Sequence, residues 1–370
     1  MTIRASFLAA LTICLLASAC GRNEAVVVYV SADESVARPL LATFTEETGI
    51  AVTPLFDSEA TKTTGLAQRL RAERDRPKAD VFWSSEIAST VALAREGVLV
   101  STRSDQLDAW PAEFRDAEHR WYAFAARARV IAYSTERVSD AEVPTTWIDL
   151  VRERWRGRIA MADPRFGTTR THMGALKAYW GQTAIPGFFG AWIDGLHENN
   201  IRVVTSGNSG VVEAIATGEA DIGMTDSDDV WAAQARGVKI GLVYPRSAVE
   251  LDRPGGGTAL IPNTVGLVAG TAREESARRL VEFLVSPRAE RLLMASASKN
   301  VPLGPSLHVE SAALAPPDPM VVDWLQACDA TESAVRDALR VLAPATVSGG
   351  RGEPALGEPA RAEPPPGEPR

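Results

Sequence analysis

Short unbroken apolar runs alternate along this chain with longer stretches in which apolar residues recur every three or four positions. Ala25-Val26-Val27-Val28-Tyr29-Val30 is a run of strand type, and Glu34–Thr48 carries a helical period that Gly49 closes. Residues 50–56 read as a second strand, 61–73 as a second helix and 79–84 as a third strand. Strand, helix, strand, helix, strand predicts a parallel sheet covered on both faces. Continuous rather than alternating runs fit strands buried on both sides. After a change of texture the alternation resumes, with strands at 129–134, 158–162, 202–205, 221–225 and 239–244. Helices are predicted at 147–153, 171–180 and 211–217. A strand at 264–269 and helices at Glu274–Leu284 and 288–297 return to the first texture, and 321–342 reads as an amphipathic helix.

Composition sharpens this outline. With 370 residues, 45% apolar and 23% charged, the chain can bury the cores of two lobes. A formal charge of −8 without any basic block argues against nucleic acid as a partner. Three cysteines and four histidines are too few and too scattered for a zinc site or a disulfide framework. His119, His172, His197 and His308 show no zinc spacing, and neither a Gly-x-Ser-x-Gly elbow nor a phosphate-binding loop occurs, so no catalytic residue is assigned. No apolar run reaches the roughly 18–20 residues of a membrane-spanning helix.

The two ends stand apart. Arg4, an apolar stretch over 5–19 and then Cys20 form a secretory pattern, and Leu15-Leu16-Ala17-Ser18-Ala19-Cys20 resembles a bacterial lipoprotein signal. The expectation is removal of residues 1–19 and lipidation of Cys20, which tethers the protein at the outer face of a membrane without burying protein in it. Cys328 then remains alone and reads as a small buried apolar residue. Residues 344–370 repeat Gly-Glu-Pro with almost no large apolar side chain, which predicts a disordered, solvated tail.

Five short polar segments follow strands directly: 31–35, 84–86, 163–172, 206–210 and 225–229. In doubly wound sheets such loops meet the ligand. Asp33, Glu86, Asp226, Asp228 and Asp229 would place several carboxylates around one cleft, and a hard cation or an organic ammonium would compensate them. The competing reading makes Asp226 a helix cap and leaves the others solvated. Thr168, Thr169 and Arg170 at a helix start, with Arg127 and the loop carrying Asn208 and Ser209, suit a phosphate, carboxylate or carbonate. A metal with a partner anion and a single zwitterionic solute both satisfy this pairing of acidic and anion-binding loops.

Several stretches carry a resemblance. Val28-Tyr29-Val30-Ser31, Phe44-Thr45-Glu46-Glu47-Thr48-Gly49-Ile50, Ala79-Asp80-Val81-Phe82-Trp83-Ser84-Ser85-Glu86, Thr205-Ser206-Gly207-Asn208-Ser209-Gly210 and Ile261-Pro262-Asn263-Thr264 are similar to periplasmic ferric-ion-binding proteins. These belong to the extracellular solute-binding family of ABC importers, and the likeness covers about residues 25–305. It implies a periplasmic-binding-protein-like α/β fold of type II: two α/β lobes, a hinge and an interlobe cleft. Lobe one would hold 25–126 and 258–308, lobe two 127–257 and 318–343, with hinges near 125–129 and 255–258. It also implies a metal set that this chain does not reproduce. Where classical members carry two adjacent tyrosines stand Asp228 and Asp229, a His ligand is replaced by Asp33, and a Glu ligand falls on Ser85 with Glu86 beside it.

The expectation is therefore a monomeric, lipid-anchored solute-binding protein that delivers its ligand to an ABC permease and its ATPase. The leading ligand is ferric iron or another hard cation with a partner anion, carried as cargo, with no resident cofactor. The alternative is a zwitterionic or anionic organic solute such as a phosphonate or carboxylate. A sensing lipoprotein or an enzyme would be a different class. The expected ligand-binding residues are Ser31, Ser85, Arg127, Thr168, Thr169, Arg170, Asn208 and Ser209; the expected metal ligands are Asp33, Glu86, Asp228 and Asp229.

Overall fold

Strand β1 (Val26–Ser31) is a run of β-branched and aromatic residues, and it takes the place such a run fits best, between two parallel neighbours. The structure, a computed structural model, describes residues 25–57, 65–183, 185–247, 255–307, 310 and 312–342. The leader with Cys20 and the tail 344–370 lie outside the described residues, as does the start of the helix predicted at 61–73. Along the chain follow α1 (Glu34–Thr48), β2 (Val52–Phe56), α2 (Gly65–Ala72), β3 (Val81–Ser84), α3 (Ile87–Arg95), β4 (Leu99–Val100), α4 (Asp105–Asp108) and β5 (Tyr122–Ser134). Next come β6 (Ile159–Ala162), α5 (Gly167–Trp180), α6 (Phe188–Glu198), β7 (Arg202–Val204), α7 (Gly207–Ala216), β8 (Ile222–Asp226), α8 (Ser227–Ala235) and β9 (Ile240–Val243). The chain then runs through β10 (Leu260–Val268), α9 (Glu274–Leu284), α10 (Pro287–Ala295) and α11 (Trp324–Leu339).

The strands run in the order β2-β1-β3-β10-β5-β8-β6-β7. In the first lobe β2, β1 and β3 are parallel, and β10 lies antiparallel to both β3 and the first half of β5. In the second lobe β8 is antiparallel to the other half of β5, and β6 is parallel to β8 and β7. The change of partner is abrupt: Ala128 still pairs with Leu260, while Arg129 pairs with Asp226. One continuous strand thus carries the backbone from lobe to lobe and leaves Arg127 and Arg129 at the crossing.

Each lobe has its own core. Leu40, Leu41 and Phe44 of α1 meet Leu280, Val281 and Leu284 of α9 over one face of the first sheet, while Ile87 and Leu93 of α3 cover the other with Phe82. The second lobe is built around indoles; Trp180 and Trp192 pack edge-on with ring centroids 5.2 Å apart, and Trp147 and Trp155 belong to the same cluster. Among the described residues no helix is long and apolar enough to cross a membrane.

Some elements differ from the pattern reading. Residues 147–155 form two 3-10 turns, Trp147–Val151 and Glu153–Trp155, and a capping box between Thr146 and Asp149 fixes the first. Strand β5 starts seven residues earlier than the apolar run suggested, at Tyr122. Helix α11 packs on more than the second lobe. Trp324 and Cys328 touch the first lobe's apolar cluster, whereas Ala334 and Ala338 belong to the second lobe's. It lies so close to α5 that a Cβ on Gly174 would sit 2.5 Å from the Ala327 carbonyl oxygen. Arg95 of α3 pairs with Asp329 at 2.5 Å and Lys177 of α5 with Asp337 at 2.7 Å, so α11 ties the lobes together.

Candidate functional site

All five polar loops lie at the carboxyl ends of strands β1, β3, β6, β7 and β8. Two of them open a helix on a glycine in left-handed backbone, Gly167 (φ 57°) and Gly207 (φ 76°), a conformation that other residues adopt only with strain. The first turns of α5 and α7 line one recess, which Ser85 and Arg127 close from the side of the first lobe's β3 loop. Ser85, Arg127, Thr168, Thr169 and Asn208 all line it, and its empty space is about 540 Å³. Helix N-termini carry unsatisfied N–H groups and a partial positive charge. With a guanidinium opposite, the recess suits an oxyanion.

Beneath it lies a buried charge network. Arg129 and Asp226 are both fully buried, and Arg129 Nη1 donates to Asp226 Oδ1 at 2.6 Å. Asp226 Oδ2 accepts from Thr168 Oγ1 at 2.5 Å and from Asn208 Nδ2 at 2.8 Å. Arg129 Nη1 also reaches Thr168 Oγ1 at 3.1 Å and Asn208 Oδ1 at 3.2 Å. Although Asp226 stands at the N-cap of α8, its side chain makes no capping bond; it serves the arginine instead. The side chains that shape the anion recess are thereby locked from below.

Asp226, Asp228 and Asp229 each bring a carboxylate oxygen within 4.8 Å of the others. The protein supplies much of the compensating charge itself. Arg127 Nη1 donates to Asp228 Oδ2 at 3.3 Å while its Nη2 donates to the Ser85 carbonyl at 2.6 Å across the cleft. Burial works against the Arg127 charge, but Asp228, Asp226 and Asp33 outweigh it and raise its pKa. Burial pushes the Asp228 carboxyl up to about 6, Arg127 pulling it down and Asp226 and Asp33 adding to the rise. Asp229 is raised well above the usual carboxylate range, first by burial and then by Asp228.

Other expected site residues fall elsewhere. Glu86 is buried and caps α3: it accepts from the Ala88 and Ser89 amides at 2.7 and 2.9 Å and from Thr171 Oγ1 at 2.8 Å. Its oxygens are committed to a helix start and an interlobe clasp, not to a metal. Arg170 pairs with Glu332 on α11 and does not line the recess. Ser209 is exposed and donates to the Ser206 carbonyl. Ser31 is buried and bonds Asp57. The pattern reading gave Arg129 no role in the site, because it stands in a strand that otherwise reads as apolar.

Residues 76–325 match the model of the bacterial extracellular solute-binding protein family. The chain belongs to that family. Iron uptake protein A1 of Synechocystis sp. is 26% identical to this solute-binding protein over 283 residues, 74% of each chain. Iron-bound HitA from Pseudomonas aeruginosa superposes with a TM-score of 0.73 at 21% identity, covering 85% of this chain and 99% of that one. The periplasmic binding protein AfuA from Actinobacillus pleuropneumoniae, solved with fructose-6-phosphate, gives 0.70 at 18% identity, with 86% and 98% covered. These neighbours establish a type II periplasmic-binding-protein fold. The family's members bind and transport solutes, and the protein is a binding protein, not an enzyme. None of its five tyrosines lines the cleft. Tyr29, Tyr122 and Tyr244 donate to Glu73, the Thr102 carbonyl and the Leu314 carbonyl, Tyr133 pairs with Asp140, and Tyr179 lies in the second lobe's core.

Proposed function

We propose that this solute-binding protein captures an oxyanion-bearing solute between its lobes and presents it to an ABC permease and ATPase. The observation that carries this is the convergence of two helix N-termini, Thr169 and Arg127 on one interlobe recess. The fold alone does not choose the ligand, since its neighbours were solved with iron and with a sugar phosphate; this chain's own side chains do. Closure joins the recess wall at Ser85 to the helix starts of the second lobe, so the closed state binds the anion best. In titration calorimetry with inorganic phosphate, Thr169→Val is expected to weaken binding roughly 10- to 100-fold, the worth of a hydrogen bond to a charged group. Equal affinity in variant and wild type would remove the recess from the account.

A second reading, ferric iron carried with a partner anion, is favoured by the names of the relatives and by the clustered oxygens of Asp226, Asp228 and Asp229. It calls for iron to bind only when phosphate or citrate is present, and without the visible phenolate charge-transfer band, because no tyrosine is at hand. Metal analysis and native mass spectrometry of the protein with its co-purified ligand separate the two readings.

We further propose a lipid anchor at Cys20, supported by the Leu15–Cys20 pattern. Cys20→Ala is expected to release the protein from the membrane fraction into the soluble one; retention there would refute the anchor.

A further inference from the structure

Arg127 lines two recesses. Beside the oxyanion recess lies a smaller one, bounded by Asp33, Trp83, Asp228, Asn263 and Asn300. Its free volume admits about one water-sized group. Asp228 is 5% exposed, and its Oδ1 has no hydrogen-bond partner among the described residues while Oδ2 holds Arg127. A buried carboxylate oxygen without a donor is a standing desolvation cost that a fitting ligand would remove. The charges around Arg127 point the same way. Asp226, Asp228 and Asp229 act on it together, and of these Asp226 is bonded to Arg129.

Resting on the oxyanion reading above, we propose that this second recess receives an ammonium group belonging to the same solute. The ligand class is then a small zwitterion, an amine joined through a short linker to a phosphoryl or carboxyl group. Arg127 stands between the two recesses as a divider, one side facing the anion and the other held by Asp228. A compact hard cation fits this recess less well. Such ions take six or more oxygen ligands, but Asp226 is committed to Arg129, Thr168 and Asn208, and one oxygen of Asp228 is committed to Arg127. An ammonium asks for two or three acceptors and carries a single charge, which a neighbouring guanidinium tolerates better.

The test is calorimetry on the full mature chain with matched probe pairs: phosphoethanolamine against ethyl phosphate, and β-alanine against propionate. Within at least one pair the amine-bearing member is expected to bind at least tenfold tighter, and Asp228→Asn to bring that ratio close to one. Amine-free members that bind as tightly as their partners in both pairs overturn the inference, and so does a ratio that survives Asp228→Asn. In both of those outcomes binding of ethyl phosphate leaves the oxyanion reading standing. If neither pair nor inorganic phosphate binds, the oxyanion reading itself falls and takes the inference with it.

Discussion

Replacing Arg129 by Met is expected to destabilise the protein by about 3–5 kcal/mol and to abolish ligand binding, the largest effect of any single change near the cleft. The reason is the charge left behind rather than the bond lost. Asp226 is fully buried and accepts three bonds, of which the 2.6 Å contact with Arg129 is the only one that brings a positive charge. Removing the guanidinium strands a carboxylate in a site without water access, and Thr168 and Asn208, which bond both partners, lose their fixed positions. Both line the oxyanion recess, so the damage passes from stability to function. The companion variant Arg129→Met/Asp226→Asn removes both charges, and urea unfolding should return most of the lost stability. A single variant as stable as wild type, or a double variant no better than the single, would show that the pair does not organise this wall.

The pair also shows where sequence reasoning ran out. The five loops were legible because their position depends only on topology: a polar segment after a buried strand in a doubly wound sheet faces the ligand whatever its residues. Helices α1 and α9 were legible to the residue, α1 because Gly49 in left-handed backbone marks its end. Strand β5 was half hidden, since its first part, Tyr-Ala-Phe-Ala-Ala, is alanine-rich and carries little strand signal. The acidic residues were legible as a group but not in their roles. Glu86 looked like a ligand beside Ser85, and its role as an N-cap follows only from the amides of Ala88 and Ser89 turning towards it. Asp226 looked like a cap and proved to be the partner of an arginine 97 positions away. Such long-range pairings leave no periodicity, and they decide whether a carboxylate awaits a cation or already has one.

Asp228→Asn is expected to make the unliganded protein more stable at neutral pH, by roughly 3 kcal/mol at pH 7.5, while weakening capture of a cationic ligand group. Burial raises the Asp228 carboxyl from its ordinary 3.8 to about 6 in the folded protein. Its contribution to stability is therefore fully present below pH 4 and is lost as the pH climbs through 6, where the folded state must ionise a carboxyl that the unfolded chain ionised earlier. His172 acts in the opposite sense. It is buried against Trp147 with ring centroids 4.7 Å apart, neither ring nitrogen has a hydrogen-bond partner among the described residues, and burial holds its pKa well below 6.5. Its stabilisation is present above pH 6.5 and fades as the solution is acidified. The wild-type curve thus mixes opposing titrations, and the difference between variant and wild type removes the His172 part. That difference should be small at pH 4, where the wild-type carboxyl is protonated in the folded protein and resembles an amide, and should open between about pH 4 and 6 before levelling off. Asp229, whose carboxyl Asp228 helps to raise, is relieved in the variant and adds to the difference in the same direction. Urea unfolding across this range measures it directly. A difference independent of pH would mean that Asp228 is ionised at its ordinary pKa, already compensated by Arg127, and has no energetic reason to seek a positively charged guest.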